Sequence, residues 1–343
     1  KFKDTSLKIV DTGIKHGTVT LISDKHKVEL TTLRKDIKTD GRHAEIEFTS
    51  DWLEDASRRD FTFNAIYSDL NGNLFDPFNG KKDLFDGVIK FIGDPSKRIK
   101  EDYLRILRYI RFFSEYSKIQ HNKNTIRIIK QNLIGIKQIS KERQIQELKK
   151  IISIKNFKNI NSNKVTKELF LTIFPELKYI HRLSKLDNLR KDILKYKNFE
   201  FVLSLLLIDK TEDCEYFIYK YNLSNKEKDK INLLNSIYSE EPNRDFFKKE
   251  NLTKIVLKYG KENLIDILDF RILTTSKNQN LILDLKNYFI KFEIPVMPIK
   301  AKDLIEKFNL KEGKLLGLIL KEVEEQWLNN NFKTSNSQIE DII

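Results

Sequence analysis

Cysteine and long apolar runs are what this 343-residue sequence has least of. Its single cysteine, Cys214, excludes an intrachain disulfide and a cysteine-based zinc site, and favours a reducing compartment. The five histidines show no metal-ligand spacing. No stretch approaches the roughly 20 apolar residues of a membrane span, and the first residues do not resemble a signal peptide. We therefore expect a cytoplasmic protein without a membrane partner.

Acidic residues are too few to balance the basic ones. Lysine and arginine number 63 against 50 aspartate and glutamate residues, which gives a net charge of +13. The excess is concentrated in residues 117–164, the basic block, where 10 Lys and 2 Arg stand against 2 acids, so that 12 − 2 = +10. Such a block attracts polyanions, RNA among them. The alternative is a solvated helix surface in a sequence that is rich in lysine throughout.

Glycine is scarce as well, and most of the 11 glycines lie in residues 1–93. Alternating β-branched and polar residues there predict strands at 16–22 and 27–33, with a second hairpin around 69–73. From Asp94-Pro95-Ser96, a typical helix start, the pattern becomes helical. We predict an α+β fold, in which a small head with a mixed β-sheet and helices precedes an elongated all-α region.

Residues 100–116 have the periodicity of a single amphipathic helix. Its predicted apolar face consists of Tyr103, Ile106, Leu107, Ile110 and Phe113. The opposite face carries a ribbon of charged residues at every third position: Asp102, Arg105, Arg108 and Arg111. One interpretation is a surface helix with an ion pair. The other is an anion site, because three arginines with few local acids favour phosphate or another anion.

Asp102 and Arg105 together have the chemistry to read a base edge. A carboxylate accepts a hydrogen bond from an exocyclic amino group, and a guanidinium donates to a ring nitrogen. Cytosine and adenine both present an amino donor beside a ring-nitrogen acceptor. Uracil and guanine present a carbonyl beside an N–H. Such a pair would accept C and A and reject U and G.

Two more sets of polar residues have two interpretations each. Arg59 is suited to contact a triphosphate or ribose while Asp60 and Asn64 hold the local backbone, or this segment is a helix start with surface charges. Glu29, on the second predicted strand, is suited to ligate Mg²⁺, or it is an exposed strand glutamate.

Six ordered segments resemble the class II nucleotidyltransferases, which comprise CCA-adding enzymes and bacterial poly(A) polymerases. They lie at residues 12–20, 28–34, 39–48, 57–65, 75–84 and 101–112, with a further match at 139–148. The resemblance implies a partial nucleotidyltransferase head at 1–93. It implies neck helices at 94–155, for base recognition and RNA binding, and body and tail helices at 156–343 that hold tRNA. A looser match to the family's tRNA-gripping segment runs from Lys302 to Trp327.

The resemblance also implies a reaction. It is the template-independent addition of CMP and AMP to tRNA 3′ ends, with CTP and ATP as substrates and two Mg²⁺ ions as cofactors. Asp102 and Arg105 would form the base-reading template, and Arg108 and Arg111 would also lie at the nucleotide. Arg59 would contact the incoming nucleotide.

Glu29 would be the third acidic residue near the metal ions of this family. The family's glycine-rich loop and Asp-x-Asp pair would stand before Thr12, and neither is in the sequence. We therefore expect the activity of the complete protein and not of these 343 residues alone. Two alternatives stay open: a poly(A) polymerase of the same family, which would incorporate only ATP, and a non-catalytic RNA-binding protein with a degenerate head.

Overall fold

The computed structural model describes residues 8–343 except 15, 16, 25, 41, 42, 156, 189–197, 240–243 and 331. The chain divides into two compact units. The first comprises residues 1–184, 194–207 and 213–224, and the second comprises 185–193, 208–212 and 225–343. No helix in the described part of the chain is long and apolar enough to cross a bilayer.

The strands of the described residues lie in the first 75 positions and pair antiparallel, in the orders β1-β2-β3, β4-β5 and β6-β7. The strands are β1 (Lys8–Gly13), β2 (Thr18–Ile22), β3 (Lys27–Thr31), β4 (Arg34–Asp40), β5 (His43–Phe48), β6 (Tyr67–Ser68) and β7 (Leu74–Phe75). The predicted hairpins at 16–33 and around 69–73 are confirmed wherever the structure describes them. Residues 15, 16, 41 and 42, which belong to two of the family-like segments, lie outside the described residues.

Register in the first sheet aligns Val10 with Thr20 and Thr20 with Glu29. Cross-strand neighbours share a face, so Glu29 lies on the face that also carries Thr18 and Thr31. The hydroxyls of these two threonines are 3.0 Å apart. The β2–β3 hairpin therefore places Glu29 on a polar face of the sheet.

Helices account for the rest of the first unit. They are α1 (Trp52–Ser57), α2 (Gly80–Asp86), α3 (Pro95–Glu101), α4 (Leu104–Tyr116), α5 (Lys123–Asn132), α6 (Lys141–Ser153), α7 (Asn159–Ser162), α8 (Lys164–Ile173), α9 (Phe199–Leu207) and α10 (Asp213–Lys220). The predicted helix start is confirmed, because the Asp94 carboxylate accepts from the backbone N–H of Lys97 over 2.7 Å.

The single helix predicted over residues 100–116 is wrong at its start. α3 ends at Glu101, Asp102 has extended backbone angles (φ −155°, ψ 106°), and α4 begins at Leu104. The predicted apolar face holds within α4, where Ile106, Leu107 and Ile110 are fully buried. Periodicity alone could not detect the break, since no glycine or proline marks it.

The second unit is helical and contains two apolar clusters. Its helices are α11 (Asn225–Ser239), α12 (Lys249–Tyr259), α13 (Lys261–Thr274), α14 (Gln279–Lys291), α15 (Ala301–Phe308), α16 (Lys314–Asn329) and α17 (Asn336–Glu340). One cluster joins α12, α13 and α14 around Leu268 and Phe289. The other joins α15, α16 and α17 around Leu304 and Val323. An α+β head followed by helices agrees with the predicted fold class; the division after residues 93 and 155 stays a prediction.

Candidate nucleotide-binding site

Asp102 lies at the break between α3 and α4 and is held from two directions. Its Oδ1 accepts from the backbone N–H of Leu104 over 3.1 Å, which starts α4. Its Oδ2 accepts from Nη2 of Arg143, on α6, over 2.7 Å. The ion pair considered between Asp102 and Arg105 does not form, and these two residues share only the backbone bond from Arg105 N to Asp102 O, 3.0 Å.

The Tyr103 ring fixes this break by packing on Gly135. A Cβ added at Gly135 would lie 2.1 Å from Cε1 of the ring, so only glycine permits the contact. The residue next to the extended Asp102 is therefore packed against the segment between α5 and α6.

Arg105 is mostly enclosed, with 12% of its side chain exposed. Its Nη1 donates to Glu101 Oε2 over 2.6 Å and to the Arg98 carbonyl over 2.8 Å. Its Nη2 donates to the Arg58 carbonyl over 3.1 Å. Burial raises the pKa of Glu101, but the hydrogen bond from Arg105 and the charge of Arg98 outweigh it and hold that pKa below its usual value.

Arg108 joins α4 to the segment that follows α1. Its Nε donates to Oδ2 of the buried Asp60. Oδ1 of Asp60 accepts from the Asn64 amide over 2.9 Å and from the Phe61 backbone over 3.0 Å. The prediction that the local backbone is held is confirmed for Asp60, whereas the Asn64 side chain holds the Asp60 carboxylate. Burial opposes the charge of Asp60, yet the bond from Arg108 keeps the Asp60 pKa below its usual value.

Arg111 is also enclosed and donates from Nε to Glu147 Oε1, on α6, over 2.6 Å. Glu147 is 1% exposed, and its other oxygen lies 3.4 Å from Lys150. The Arg111 guanidinium carbon lies 4.0 Å from the ring centroid of Phe112.

The prediction that the α4 arginines are not neutralised by acids is therefore wrong. Arg105, Arg108 and Arg111 each have a carboxylate partner. Two of these acids lie 48 and 36 residues away in sequence, so a local charge count could not find them.

Arg59 follows the end of α1, and the helix that starts in this segment is a short 3₁₀ helix, Thr62–Ala65. Its Nη2 donates to Oδ2 of Asp55 over 3.0 Å, and its guanidinium lies 5.2 Å from the ring centroid of Tyr67. With 39% of its side chain exposed, against 12% for Arg105 and 13% for Arg111, it is the most accessible arginine of this set.

Four functional candidates were missed by sequence reasoning: Asp55, Glu101, Arg143 and Glu147. Asp55 and Glu147 are 1% exposed. Charged residues are almost never buried unless they are paired, so a carboxylate in an apolar helical register is the signal that could have found them. Glu101 and Arg143 carry no such signal, because both are partly exposed.

Glu29 is exposed on β3, as one of its two interpretations held. Its carboxylate has the oxygen chemistry that Mg²⁺ prefers, but such a cation takes six ligands. Within the described residues, no group of three or more His, Cys, Asp or Glu side chains is placed to hold a metal. One carboxylate does not make a metal site. Glu29 can therefore supply one oxygen ligand to Mg²⁺, and the described residues do not form a complete site for it.

The basic block exposes many of its cations along α5 and the turns that follow it and α6. Exposed side chains in this block include those of Lys123, Arg127, Lys137 and Lys155. Other cations of the block are paired with acids. The Lys130 ammonium, for example, lies 2.6 Å from the Glu168 carboxylate. The exposed set keeps the positive surface that the composition predicts.

Two family models match the chain. The Poly A polymerase head domain matches residues 1–90, and tRNA nucleotidyltransferase domain 2 matches residues 197–343. Among solved structures, the Bacillus stearothermophilus CCA-adding enzyme in complex with CTP has a TM-score of 0.62 and 23% identity, over 94% of this chain and 80% of that one. The Thermotoga maritima CCA-adding enzyme complexed with tRNA has a TM-score of 0.57 and 21% identity, over 99% and 81%. These likenesses establish the fold.

Curated relatives are more similar in sequence. The human mitochondrial CCA tRNA nucleotidyltransferase 1 is 31% identical over 98% of this chain and 77% of its own length. The CCA-adding enzyme of Staphylococcus haemolyticus is 31% identical over 94% of this chain and 81% of its own length. Enzymes of this kind are generally metal-dependent nucleotidyltransferases. By sequence across almost its whole length and by fold, this chain belongs to the CCA tRNA nucleotidyltransferase family.

Proposed function

We propose that the protein adds CMP and AMP to tRNA 3′ ends without a nucleic-acid template, using CTP and ATP. One observation carries the proposal: the α4 arginines meet the segment of Arg59, where Arg105 donates to the Arg58 carbonyl and Arg108 to Asp60. The base-reading and phosphate-binding candidates of the sequence are thereby brought together. Relatives that are 31% identical to this chain are named CCA tRNA nucleotidyltransferase 1 and CCA-adding enzyme, which agrees with the proposal.

Arg59 and Arg108 are the phosphate ligands in this proposal. Arg108 uses only Nε on Asp60, and its terminal nitrogens have no hydrogen-bond partner among the described residues. A guanidinium with open terminal N–H groups binds phosphate oxygens in pairs. Burial lowers the Arg108 pKa, but the bond to Asp60 more than offsets this and raises the pKa above its usual value. The arginine is therefore charged throughout the physiological range.

Asp102 and Arg105 are the base readers. Arg105 uses three of its five N–H groups on Glu101 and two carbonyls, which leaves Nε–H and one Nη2–H as donors. Each carboxylate oxygen of Asp102 accepts one hydrogen bond from the described residues and keeps one acceptor position. The pair thus retains both the donor and the acceptor that the C and A edges require. Arg111 supports the site through its charge.

Mg²⁺ is the proposed cation, with Glu29 as one oxygen ligand. When bound, the ion would activate the tRNA 3′-hydroxyl and stabilise the charge of the pyrophosphate leaving group. The described residues orient the nucleotide and select its base. We place the reaction in the cytoplasm, and the mitochondrial names of several relatives make that organelle the alternative.

The tRNA partner is proposed to bind along the basic block and the helices of residues 156–343. Lysine and arginine side chains that neutralise phosphates release condensed counterions, so such binding has a steep dependence on salt. The exposed cations of the block supply the required charge.

The direct test is nucleotide addition to a tRNA transcript that lacks CCA. It uses an enzyme form that carries the family's Asp-x-Asp pair, with CTP and ATP supplied together and separately. We expect two C residues and one A, in that order, with the products sequenced. A homopolymer of A from ATP alone would identify a poly(A) polymerase. Binding of tRNA with no addition would identify the non-catalytic alternative.

A further inference from the structure

One buried carboxylate outside the family-assigned set lies between Arg59 and the β4–β5 hairpin. Asp55, on α1, directs Oδ1 toward the hairpin. This oxygen accepts from the backbone N–H of Arg34, the first residue of β4, over 3.2 Å. It also accepts from Nε and Nη2 of Arg58, over 3.0 and 2.5 Å. Arg58 Nε donates in addition to the Arg34 carbonyl over 2.9 Å, so both backbone groups of Arg34 are tied to this centre.

The other oxygen of Asp55 faces the nucleotide side. Oδ2 accepts from Nε and Nη2 of Arg59, over 3.1 and 3.0 Å, and from the Tyr67 hydroxyl over 2.6 Å. The Tyr67 hydroxyl also contacts Arg59 Nε at 3.0 Å. The third nitrogen of the Arg59 guanidinium, Nη1, donates to the Asn64 carbonyl over 3.3 Å. A single carboxylate therefore connects the hairpin base to Arg59, the most accessible of the candidate site arginines.

These bonds leave Arg59 with one N–H on each terminal nitrogen. Two donors on adjacent nitrogens of a planar guanidinium are the number that a bidentate contact with a phosphate uses. Their direction is set by the bonds to Asp55 and Tyr67. A change at Asp55 would therefore reorient the donors without removing them.

We propose that Asp55 is a positioning residue, which orients Arg59 for the triphosphate and couples that contact to the base of the β4–β5 hairpin. The proposal rests on the phosphate-binding role proposed above for Arg59. It predicts that nucleotide binding at Arg59 tightens the hairpin at Arg34. Conversely, it predicts that loosening the Oδ2 side of Asp55 weakens nucleotide binding and uncouples the hairpin.

The charge state of Asp55 supports this role. Burial alone would raise its pKa, but hydrogen bonds from Tyr67 and Arg58 outweigh burial and lower the pKa to about 2. The carboxylate is thus ionised at every pH at which the enzyme would work. It stands between the guanidinium groups of Arg58 and Arg59, which would otherwise repel each other.

The kinetic test compares Asp55→Asn with Tyr67→Phe in an enzyme form that carries the family's Asp-x-Asp pair. Tyr67→Phe keeps the ring packed against Trp52, at 5.4 Å between centroids, and removes only the hydroxyl. If Asp55→Asn fails to fold, Tyr67→Phe alone still tests the proposal. For both variants we expect KM for CTP and ATP to rise about tenfold, with kcat changed by less than about threefold. A misoriented Arg59 weakens the phosphate contact equally in the bound substrate and in the transition state. The loss therefore appears in KM and not in kcat.

Glu54→Gln is the matched control, on the same helix. Glu54 accepts from the Thr49 hydroxyl over 2.5 Å and lies 3.7 Å from Lys35, so it also tethers the hairpin, but it has no contact with Arg59 among the described residues. We expect this variant to keep the wild-type KM. An equal rise in KM for Glu54→Gln would overturn the proposal, since tethering the hairpin would then suffice.

Coupling is measured by hydrogen exchange at the Arg34 amide, with ATP as the probe. In the wild type and in Glu54→Gln, saturating ATP should slow this exchange severalfold. In Tyr67→Phe, whose Oδ1 bonds are intact, ATP at saturation should leave the exchange unchanged. Equal slowing in Tyr67→Phe and the wild type would overturn the coupling.

Arg59→Ala separates this inference from the role on which it rests. If Arg59→Ala raises KM while Asp55→Asn and Tyr67→Phe do not, Asp55 does not position Arg59 and the inference is wrong. If Arg59→Ala also leaves KM unchanged, Arg59 is not a phosphate ligand, and the proposed site assignment fails with it.

Discussion

Arg143 donates from Nη2 to Oδ2 of Asp102 over 2.7 Å, so the carboxylate proposed to read the base is held by a helix that begins 39 residues later in the chain. Both side chains are partly exposed, at 32% and 25%. Such a pair contributes little to stability, about 0.2–1 kcal/mol. Its position between α6 and the break before α4 points instead to orientation of Asp102.

Arg143→Met should therefore affect base selection more than folding. With its Oδ2 anchor removed, Asp102 keeps only the bond to Leu104 and rotates more freely. We expect misincorporation of UMP to rise by about three- to tenfold, while the free energy of unfolding falls by no more than about 1 kcal/mol. Single-nucleotide incorporation and urea denaturation measure the two effects. Lys81→Met, at an exposed position of α2, is the control and should change neither.

Salt dependence tests the RNA surface. Reversing Lys123, Arg127, Lys137 and Lys155 to Glu should reduce the slope of log affinity against log salt by up to about 3, because each phosphate contact contributes roughly 0.7–0.9. The measurement is tRNA binding by the 343-residue chain between low and moderate salt. Reversing four exposed head lysines gives a variant of equal net charge: Lys8, Lys27, Lys81 and Lys90. If this control flattens the slope as much, net charge and not the block governs binding.

His121 gives a prediction about pH and stability. Its Nδ1 lies 3.0 Å from the Tyr109 hydroxyl, its Nε2 lies 2.8 Å from the Thr166 hydroxyl, and its ring stacks on Phe113. Burial lowers the pKa of His121 to about 4, against a smaller opposing effect of Asn163. The fold favours the neutral ring, so the unfolded chain binds more protons below its ordinary pKa of 6.5.

The stabilisation from His121 is therefore fully present above pH 6.5 and is lost as pH falls toward 4. Between pH 7.5 and 5 we expect the wild type to lose about 1–2 kcal/mol of unfolding free energy from this group. His121→Gln should be less stable at pH 7.5 and should show a smaller loss. The exposed His26 provides the control His26→Gln, which should follow the wild type. A loss of the same size in His121→Gln would show that other groups cause the pH dependence.

The β2–β3 and β6–β7 hairpins and the helix start at Asp94 could be predicted because their signals are local, whereas β1, β4 and β5 were not predicted as strands. β-branched alternation and side-chain caps act within a few residues. The break at Asp102 could not, because the contacts found there are distant in sequence: Tyr103 packs on Gly135, 32 positions away, and Asp102 accepts from Arg143. The pairing of Arg108 with Asp60 escaped prediction for the same reason. The arginines of the site could be identified from the sequence pattern, whereas their acidic partners could be identified only from the tertiary structure.

The last prediction concerns base choice. Asp102 can only accept hydrogen bonds when ionised, and Arg105 can only donate. In an enzyme form that carries the family's Asp-x-Asp pair, Asp102→Ala removes the acceptor for the amino group of C or A. Discrimination against UTP should then fall by about 1–3 kcal/mol, the range for a good bidentate base contact. The assay is single-nucleotide incorporation with each of the four nucleotides, on tRNA awaiting either its first C or its final A.

Arg105→Ala should instead depress the use of both CTP and ATP, because both bases lose the donor to the ring nitrogen. Arg105 also donates to the carbonyls of Arg98 and Arg58, so part of its effect will be structural, and rates must be compared at equal folded fraction. Arg108→Ala should weaken the use of all four nucleotides with little change in preference, since its role is electrostatic. If Asp102→Ala loses activity equally for all four bases, the break before α4 is not the template, and Asp102 serves only to bind Arg143.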